Sequence, residues 1–227
     1  MHNDGSEKYI LDWHTLKSDW PLWLVMAGML AAAFFIYPNL PAEVPRHWNI
    51  HGEVDGYWPG LYGAFFAPLL AVGLYVLLVV TPLFDPRRDN YVRFSGAYRF
   101  LRWSLVLFTV LMYGISIMAA LGYAIRIDML VKAGVAILFI IIGNFMGQFR
   151  PNYFVGIKTP WTLSSEEVWT STHRTGARIW VLGGLICLAT APVREVWGFW
   201  IFLIVVAIMS IVPIIYSYIL YKRISKN

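Results

Sequence analysis

Charge is scarce in this sequence, and cysteine is nearly absent. Only 14% of the 227 residues are Asp, Glu, Lys or Arg, against 59% hydrophobic. A water-soluble domain of this length needs a more charged surface, so the soluble globular class is excluded, and no charge-rich stretch is long enough to form a separate soluble domain. The single cysteine, Cys187, excludes an intramolecular disulfide and, inside an apolar run, reads as a small packing residue. Six long runs contain no charged residue: Trp20 to Pro38, Leu61 to Phe84, Trp103 to Ile125, Ala133 to Phe149, Ile179 to Val193 and Val196 to Tyr221. A charge near the centre of a bilayer costs about 2.5–3.5 kcal/mol on insertion scales. Six clean runs in a chain with 18 basic and 13 acidic residues therefore point to membrane spans. The same absence argues against a proton- or ion-driven transporter, which keeps ionisable groups in its spans.

What is present agrees. A hydrocarbon core about 30 Å thick needs roughly 20 apolar helical residues. The fourth and fifth runs are short and borrow flanking residues, while Pro68, Pro82 and Pro213 are tolerated as kinks. Ala31-Ala32-Ala33 resembles a signal cleavage site, but the run continues to Tyr37 after a tail of mixed charge, so a retained span is expected. Tryptophans 20, 23, 58, 103, 180, 197 and 200 sit near run ends, as an interfacial belt requires. Lys and Arg are distributed unequally. One side holds Lys8 and Lys17; Arg87, Arg88, Arg93, Arg99 and Arg102; Arg150, Lys158, Arg174 and Arg178; and Lys222, Arg223 and Lys226. The other side holds only Arg46, Arg126, Lys132 and Arg194. Fourteen against four predicts an all-α integral membrane protein with six transmembrane helices and both termini inside. The net charge of +5, spread in short clusters, suits anionic headgroups and gives no reason to expect direct nucleic-acid binding.

The expected organisation is a cytoplasmic tail (1–19), a first helix pair with an external loop (20–84), a basic loop and third helix (85–125), helices four to six with a second cytoplasmic loop (126–221), and a basic tail (222–227). The external loop, Leu40 to Trp58, carries two prolines and two glycines and reads as ordered turns, with Asn49 and Asp55 capping them and Trp48, Tyr57 and Trp58 at the headgroups. His47, His51 and Asp55 would align on a helix at i, i+4, i+8, but Pro45 and Gly52 oppose that helix and no further ligand completes a metal site. In the fourth run Asn144 and Gln148 share a face, and Gly143 and Gly147 form a small-xxx-small pair, predicting close helix packing with an interhelical hydrogen bond. Ser164 followed by Glu167 predicts a capping box and a short helix from Ser165, ended or bent by Gly176. Trp169 and His173 share one face of it. No nucleophile spacing accompanies His173, so catalysis is not expected. The segment from Pro151 to Leu163 mixes Pro, Gly and aromatics and is expected to be ordered against the helix ends, with Asn152 and Thr162 satisfying turn groups.

Two motifs carry a resemblance. The external loop places Pro45, His47, Trp48, Asn49, Gly52, Asp55, Gly56 and Tyr57 in the order Pro-x-His-Trp-Asn-x-x-Gly-x-x-Asp-Gly-Tyr. The inner loop has Gly143, Asn144 and Met146, then Arg150-Pro-Asn152-Tyr-Phe-x-Gly-Ile-Lys158-Thr-Pro160-Trp161-Thr162-Leu, then Val168, Trp169, Thr172, His173 and Arg174. Together they resemble the SdpI-like bacterial immunity proteins. One departure is Lys158, where that family carries Arg, which keeps charge and loses bidentate geometry.

The resemblance implies a multi-pass protein of the bacterial plasma membrane that is not an enzyme and needs no cofactor or metal. It implies a secreted antimicrobial peptide as partner outside and a small winged-helix, ArsR-like repressor inside. Arg150, Lys158, Trp161, Trp169, His173 and Arg174 then form the surface expected to meet that repressor. Two other readings remain open in the residues themselves: a small-molecule or lipid transporter with Asn144 and Gln148 on its path, and a membrane enzyme using His47, His51 or His173.

Overall fold

The computed structural model describes residues 13–49, 53–194 and 196–225. In chain order they form α1 (Trp13–Ser18), α2 (Trp20–Ile36), a 3-10 turn (Tyr37–Asn39), β1 (Glu43–Trp48), β2 (Val54–Pro59), α3 (Gly60–Phe84), α4 (Asn90–Arg93) and α5 (Ser95–Ala120). Then come α6 (Ile127–Met146), α7 (Pro160–Ser164), α8 (Glu166–Thr190) and α9 (Val196–Ile224). Among the described residues, five helical segments are long and apolar enough to cross a membrane: Trp20–Asn39, Gly60–Phe84, Ser95–Ala120, Ile127–Met146 and Val196–Ile224.

α8 differs from expectation. The short helix and the fifth span merge into one 25-residue helix whose first turns carry Glu166, Glu167, Arg174 and Arg178, so only its second half, from Ile179, is apolar. Its N-cap is Ser165, whose hydroxyl accepts from Val168 N–H at 3.3 Å, while Ser164 donates to the Trp161 carbonyl. Gly176 does not end it. A side chain there would come within 2.6 Å of Ile157 Cδ1, so the glycine serves close approach rather than termination.

The long helices pack in the order α2, α3, α5, α6, α8, α9, each against the next. The tightest seam joins α6 and α8 through glycines. A Cβ on Gly143 would lie 2.9 Å from Val181 Cγ2, and one on Gly184 would lie 3.0 Å from the Ala136 carbonyl. Gly143 is at the close approach that the sequence predicts, whereas a Cβ on Gly147, its expected partner, would come no nearer than 3.9 Å to the facing Ala177. The polar companion is not found, because the Asn144 amide donates within its own helix to the Ile140 carbonyl at 2.9 Å.

The loop expected to consist of turns is an antiparallel hairpin, so the described chain is not purely helical. Its register breaks between Pro45 and His47 and again before Trp48, leaving Arg46 and Asp55 as inserted residues. Such bulges bend a ribbon and re-aim side chains. Val44 is fully buried against Gly63 of α3, where a Cβ would meet it at 2.5 Å. Ser116 of α5 donates to the Pro45 carbonyl at 3.1 Å. The hairpin is therefore held against one end of α3 and α5.

Candidate functional site: a cavity under the hairpin and a packed loop at the opposite end

At the hairpin end, His47 Nδ1 meets Asp55 Oδ1 across the strands at 2.5 Å, with both side chains exposed. A strand pairing, not a helix, brings them together, so the helical spacing of His47, His51 and Asp55 does not apply. Among the described residues no group of three or more metal-ligating side chains forms. His51 and Gly52 lie outside the described residues. The Asn49 side chain accepts from Glu53 N–H at 3.1 Å and donates to the Glu53 carboxylate at 3.0 Å, whereas Asp55, expected to cap a turn, pairs with His47 instead. Gly56 faces His47, and a Cβ there would lie 3.2 Å from the His47 Cβ. Tyr57 pairs with Pro45 and is exposed, while Trp58 packs on Phe66 at 4.5 Å.

Beneath the hairpin lies a cavity of about 1170 Å³, walled by α3, α5, α6 and α9. Trp48 and the His47–Asp55 pair line it. Its apolar wall includes Phe66, Leu70, Phe108, Met112, Val135 and Phe202. Around it stand Arg46, Arg126, Lys132 and Arg194, against the carboxylates of Asp55 and Asp128. Arg126 donates to the Pro192 carbonyl and Lys132 to the Val193 carbonyl, each at 2.8 Å, tying the start of α6 to the α8–α9 connection. The sequence places Arg46, Arg126, Lys132 and Arg194 on one side of the membrane but gives no sign that they surround a cavity, because a wall shared by four helices and the hairpin has no local signature.

At the opposite end the segment from Pro151 to Leu163 folds back over the helix ends. Asn152 is fully buried. Its side-chain oxygen accepts from Phe154 N–H (2.9 Å) and Val155 N–H (2.7 Å), and its amide donates to the Arg150 carbonyl. Asp85, after α3, accepts from Tyr153 N–H at 2.9 Å and from the Tyr91 hydroxyl at 3.0 Å. Asn90 donates to the Pro151 carbonyl and Arg87 to the Leu163 carbonyl. Thr159 and Thr162 make a reciprocal capping box on α7 with Pro160 in its first turn, and Thr159 reaches Ser217 of α9 at 3.1 Å. Lys158 is exposed and donates to the Tyr153 and Phe154 carbonyls, a role a single ammonium fills without bidentate geometry.

Trp169 and His173 stack on each other at 4.2 Å, as their spacing predicts, but both are fully buried. Trp169 donates to the Phe149 carbonyl at 2.9 Å. His173 Nε2 accepts from Ile157 N–H at 2.9 Å, so it carries no proton, and Nδ1–H donates to the Trp169 carbonyl at 2.8 Å. Burial away from water lowers the imidazole pKa to about 4, against a smaller opposing effect of the Trp169 carbonyl, and the ring is neutral at pH 7. Neither residue belongs to a surface that a partner reaches, which corrects the expectation for both. The loop covers them, and sequence spacing on the helix does not register that cover. Arg150, Lys158 and Arg174 are exposed, and Trp161 is half-buried on Tyr218.

A second correction concerns charge inside the bundle. α5 starts eight residues before the run that begins at Trp103, and Arg102 lies within it, almost wholly buried. It pairs with Asp19, which is fully buried at the α1–α2 junction and so not part of a free tail. Trp103 Nε1 donates to Asp19 at 2.7 Å, and the Tyr75 hydroxyl also reaches it. Tyr75 and Tyr98 place their rings 5.8 and 6.0 Å from the guanidinium. The apolar period of α5, with Phe94, Ala97, Tyr98 and Leu101 buried, was the available signal that the helix extends back through Arg102.

Residues 148–217, which hold the folded-back loop, α7, α8 and most of α9, match the SdpI/YfhL protein family. Residues 24–72, which hold most of α2, the hairpin and the start of α3, match a domain of unknown function, DUF1648. The chain is 24% identical over 202 residues to the immunity protein SdpI of Bacillus subtilis (strain 168), an alignment covering 89% of this chain and 95% of that one. No solved structure matches. Both sequence motifs fall on the two matched regions, the inner one beginning just before its match, and the alignment runs through nearly all of both proteins: the chain is similar to the SdpI family.

Proposed function

We propose that this protein is a non-enzymatic immunity and signalling protein of the bacterial plasma membrane, crossing it six times with both termini inside. The near full-length alignment with an immunity protein carries this reading. The sixth crossing is the apolar second half of α8, covered on its flanks by α6 and α9. The positive-inside distribution of Lys and Arg supports an inner position for the folded-back loop and an outer one for the hairpin. A secreted antimicrobial peptide then meets the exposed face of the hairpin, at His47, Asp55 and Tyr57. Inside, the exposed cations Arg150, Lys158 and Arg174 offer a repressor of the ArsR-like kind a docking surface over a rigid, hydrogen-bonded loop. Both ring nitrogens of the buried His173 are engaged, which leaves it no free position to act as a base and supports a binding role for this loop over a catalytic one.

The test is survival beside abundance. Cells killed by a secreted antimicrobial peptide are given this protein, the B. subtilis relative as control, or an empty vector, across a panel of such peptides. Survival should rise at least about tenfold for one peptide, a change worth roughly 1.4 kcal/mol in any equilibrium it reflects. The hairpin variant His47→Gln/Asp55→Asn should lower it at unchanged membrane abundance. Survival that only tracks abundance, or never rises, contradicts the proposal.

A further inference from the structure

Three buried donors converge on one cavity. Among the described residues, Trp48 Nε1, the Tyr113 hydroxyl and Arg126 Nε are buried without a hydrogen-bond partner, and all three residues line the cavity under the hairpin. Buried polar groups in proteins are nearly always satisfied, so a cluster of orphan donors points to an absent acceptor. Tyr113 is the most telling, since it is only 6% exposed and lies within the membrane-crossing part of α5. Among the described residues that line the cavity, the cations Arg46, Arg126, Lys132 and Arg194 outnumber the carboxylates Asp55 and Asp128, which favours an anion. The wall below is apolar and belongs to helices long enough to span a bilayer.

We propose that this cavity binds an anionic phospholipid, its phosphate and ester oxygens accepting from these donors and its acyl chains lying along the apolar wall. A lipid fits better than a peptide because the apolar wall lies at the depth of the spans, where lipid is the surrounding solvent. The inference does not rest on the immunity reading and holds whichever leaflet the hairpin faces.

The full-length protein, purified and stripped of lipid, is titrated with phosphatidylglycerol or phosphatidylcholine in mixed micelles and followed by native mass spectrometry and thermal unfolding. Phosphatidylglycerol should be retained and raise Tm, with phosphatidylcholine about tenfold weaker. Tyr113→Phe removes only an unpartnered hydroxyl, so the lipid-free Tm should hold while phosphatidylglycerol binding weakens severalfold. Arg194→Gln should narrow the preference between the two lipids, and Ala67→Trp, which fills the cavity, should abolish retention of both. Equal binding of both lipids, unchanged by these variants, would mean peripheral lipid only and overturn the proposal. A Tm shift produced by a hydrophobic peptide but not by either lipid, and lost in Ala67→Trp, would overturn it as well.

Discussion

His47 and His173 look alike as members of two aromatic-rich motifs, yet they end in opposite environments. His47 stands exposed beside Asp55, whereas His173 is sealed beneath residues 153–157 with its pKa lowered to about 4. That lowering has a testable sign. Between pH 6.5 and 4 the unfolded chain binds a proton on this residue that the folded chain refuses, so stability is full above about 6.5 and falls as pH drops through the window. The loss is on the order of 3 kcal/mol once the pH is below 4. Thermal unfolding in detergent at pH 7.5, 6 and 5 should show a steeper decline for the wild type than for His173→Gln, which has no proton to gain. Parallel declines would contradict the buried neutral imidazole. Gly156, with φ +110°, belongs to the same device, because a side chain there would overlap the imidazole. The i, i+4 pairing of Trp169 with His173 is legible in the sequence. Their burial is not, because it depends on a loop that turns back over the helix.

At the scale of elements, helix ends were the least legible feature, for one physical reason. Reading spans as charge-free runs cuts each helix at its first ionisable residue, but a paired charge remains inside the helix. α5 therefore extends back past Arg102, and α6 begins at Ile127 with Asp128 bridging Arg126 and Lys132. The hairpin is illegible for a related reason, since Pro and Gly signal turns and the alternation of a six-residue strand with two bulges is faint. The Asp19–Arg102 pair holds the α1–α2 junction against α5. Arg102→Met should cost about 3–5 kcal/mol because it leaves a buried carboxylate without its cation. Arg102→Met/Asp19→Asn should recover much of that loss, and unfolding of both variants beside the wild type gives the coupling. A small loss in the single variant, with no recovery in the double, would contradict the pair's role.

For the whole molecule, the two motifs mark opposite ends of one helical assembly. The described part of the first motif lies on the hairpin strands, Glu43–Trp48 and Val54–Pro59, and Arg150 to Arg174 forms the folded-back loop with the start of α8. Their residues were legible as a set, and so was the order of the loop from Pro151 to Leu163. The cavity was not, because its wall draws on positions from Arg46 to Phe202 that only the packed fold brings together. The central claim is that the hairpin end meets the outside and the loop end the cytoplasm, so that a secreted peptide and an internal repressor reach different faces. The single native cysteine, Cys187, is buried, which makes the measurement direct. In a full-length Cys187→Ser background, Glu53→Cys and Glu166→Cys are each treated in intact cells with a membrane-impermeant maleimide. Labelling of the Glu53→Cys protein in intact cells, and of the Glu166→Cys protein only after permeabilisation, is the predicted result; the reverse pattern would contradict the account.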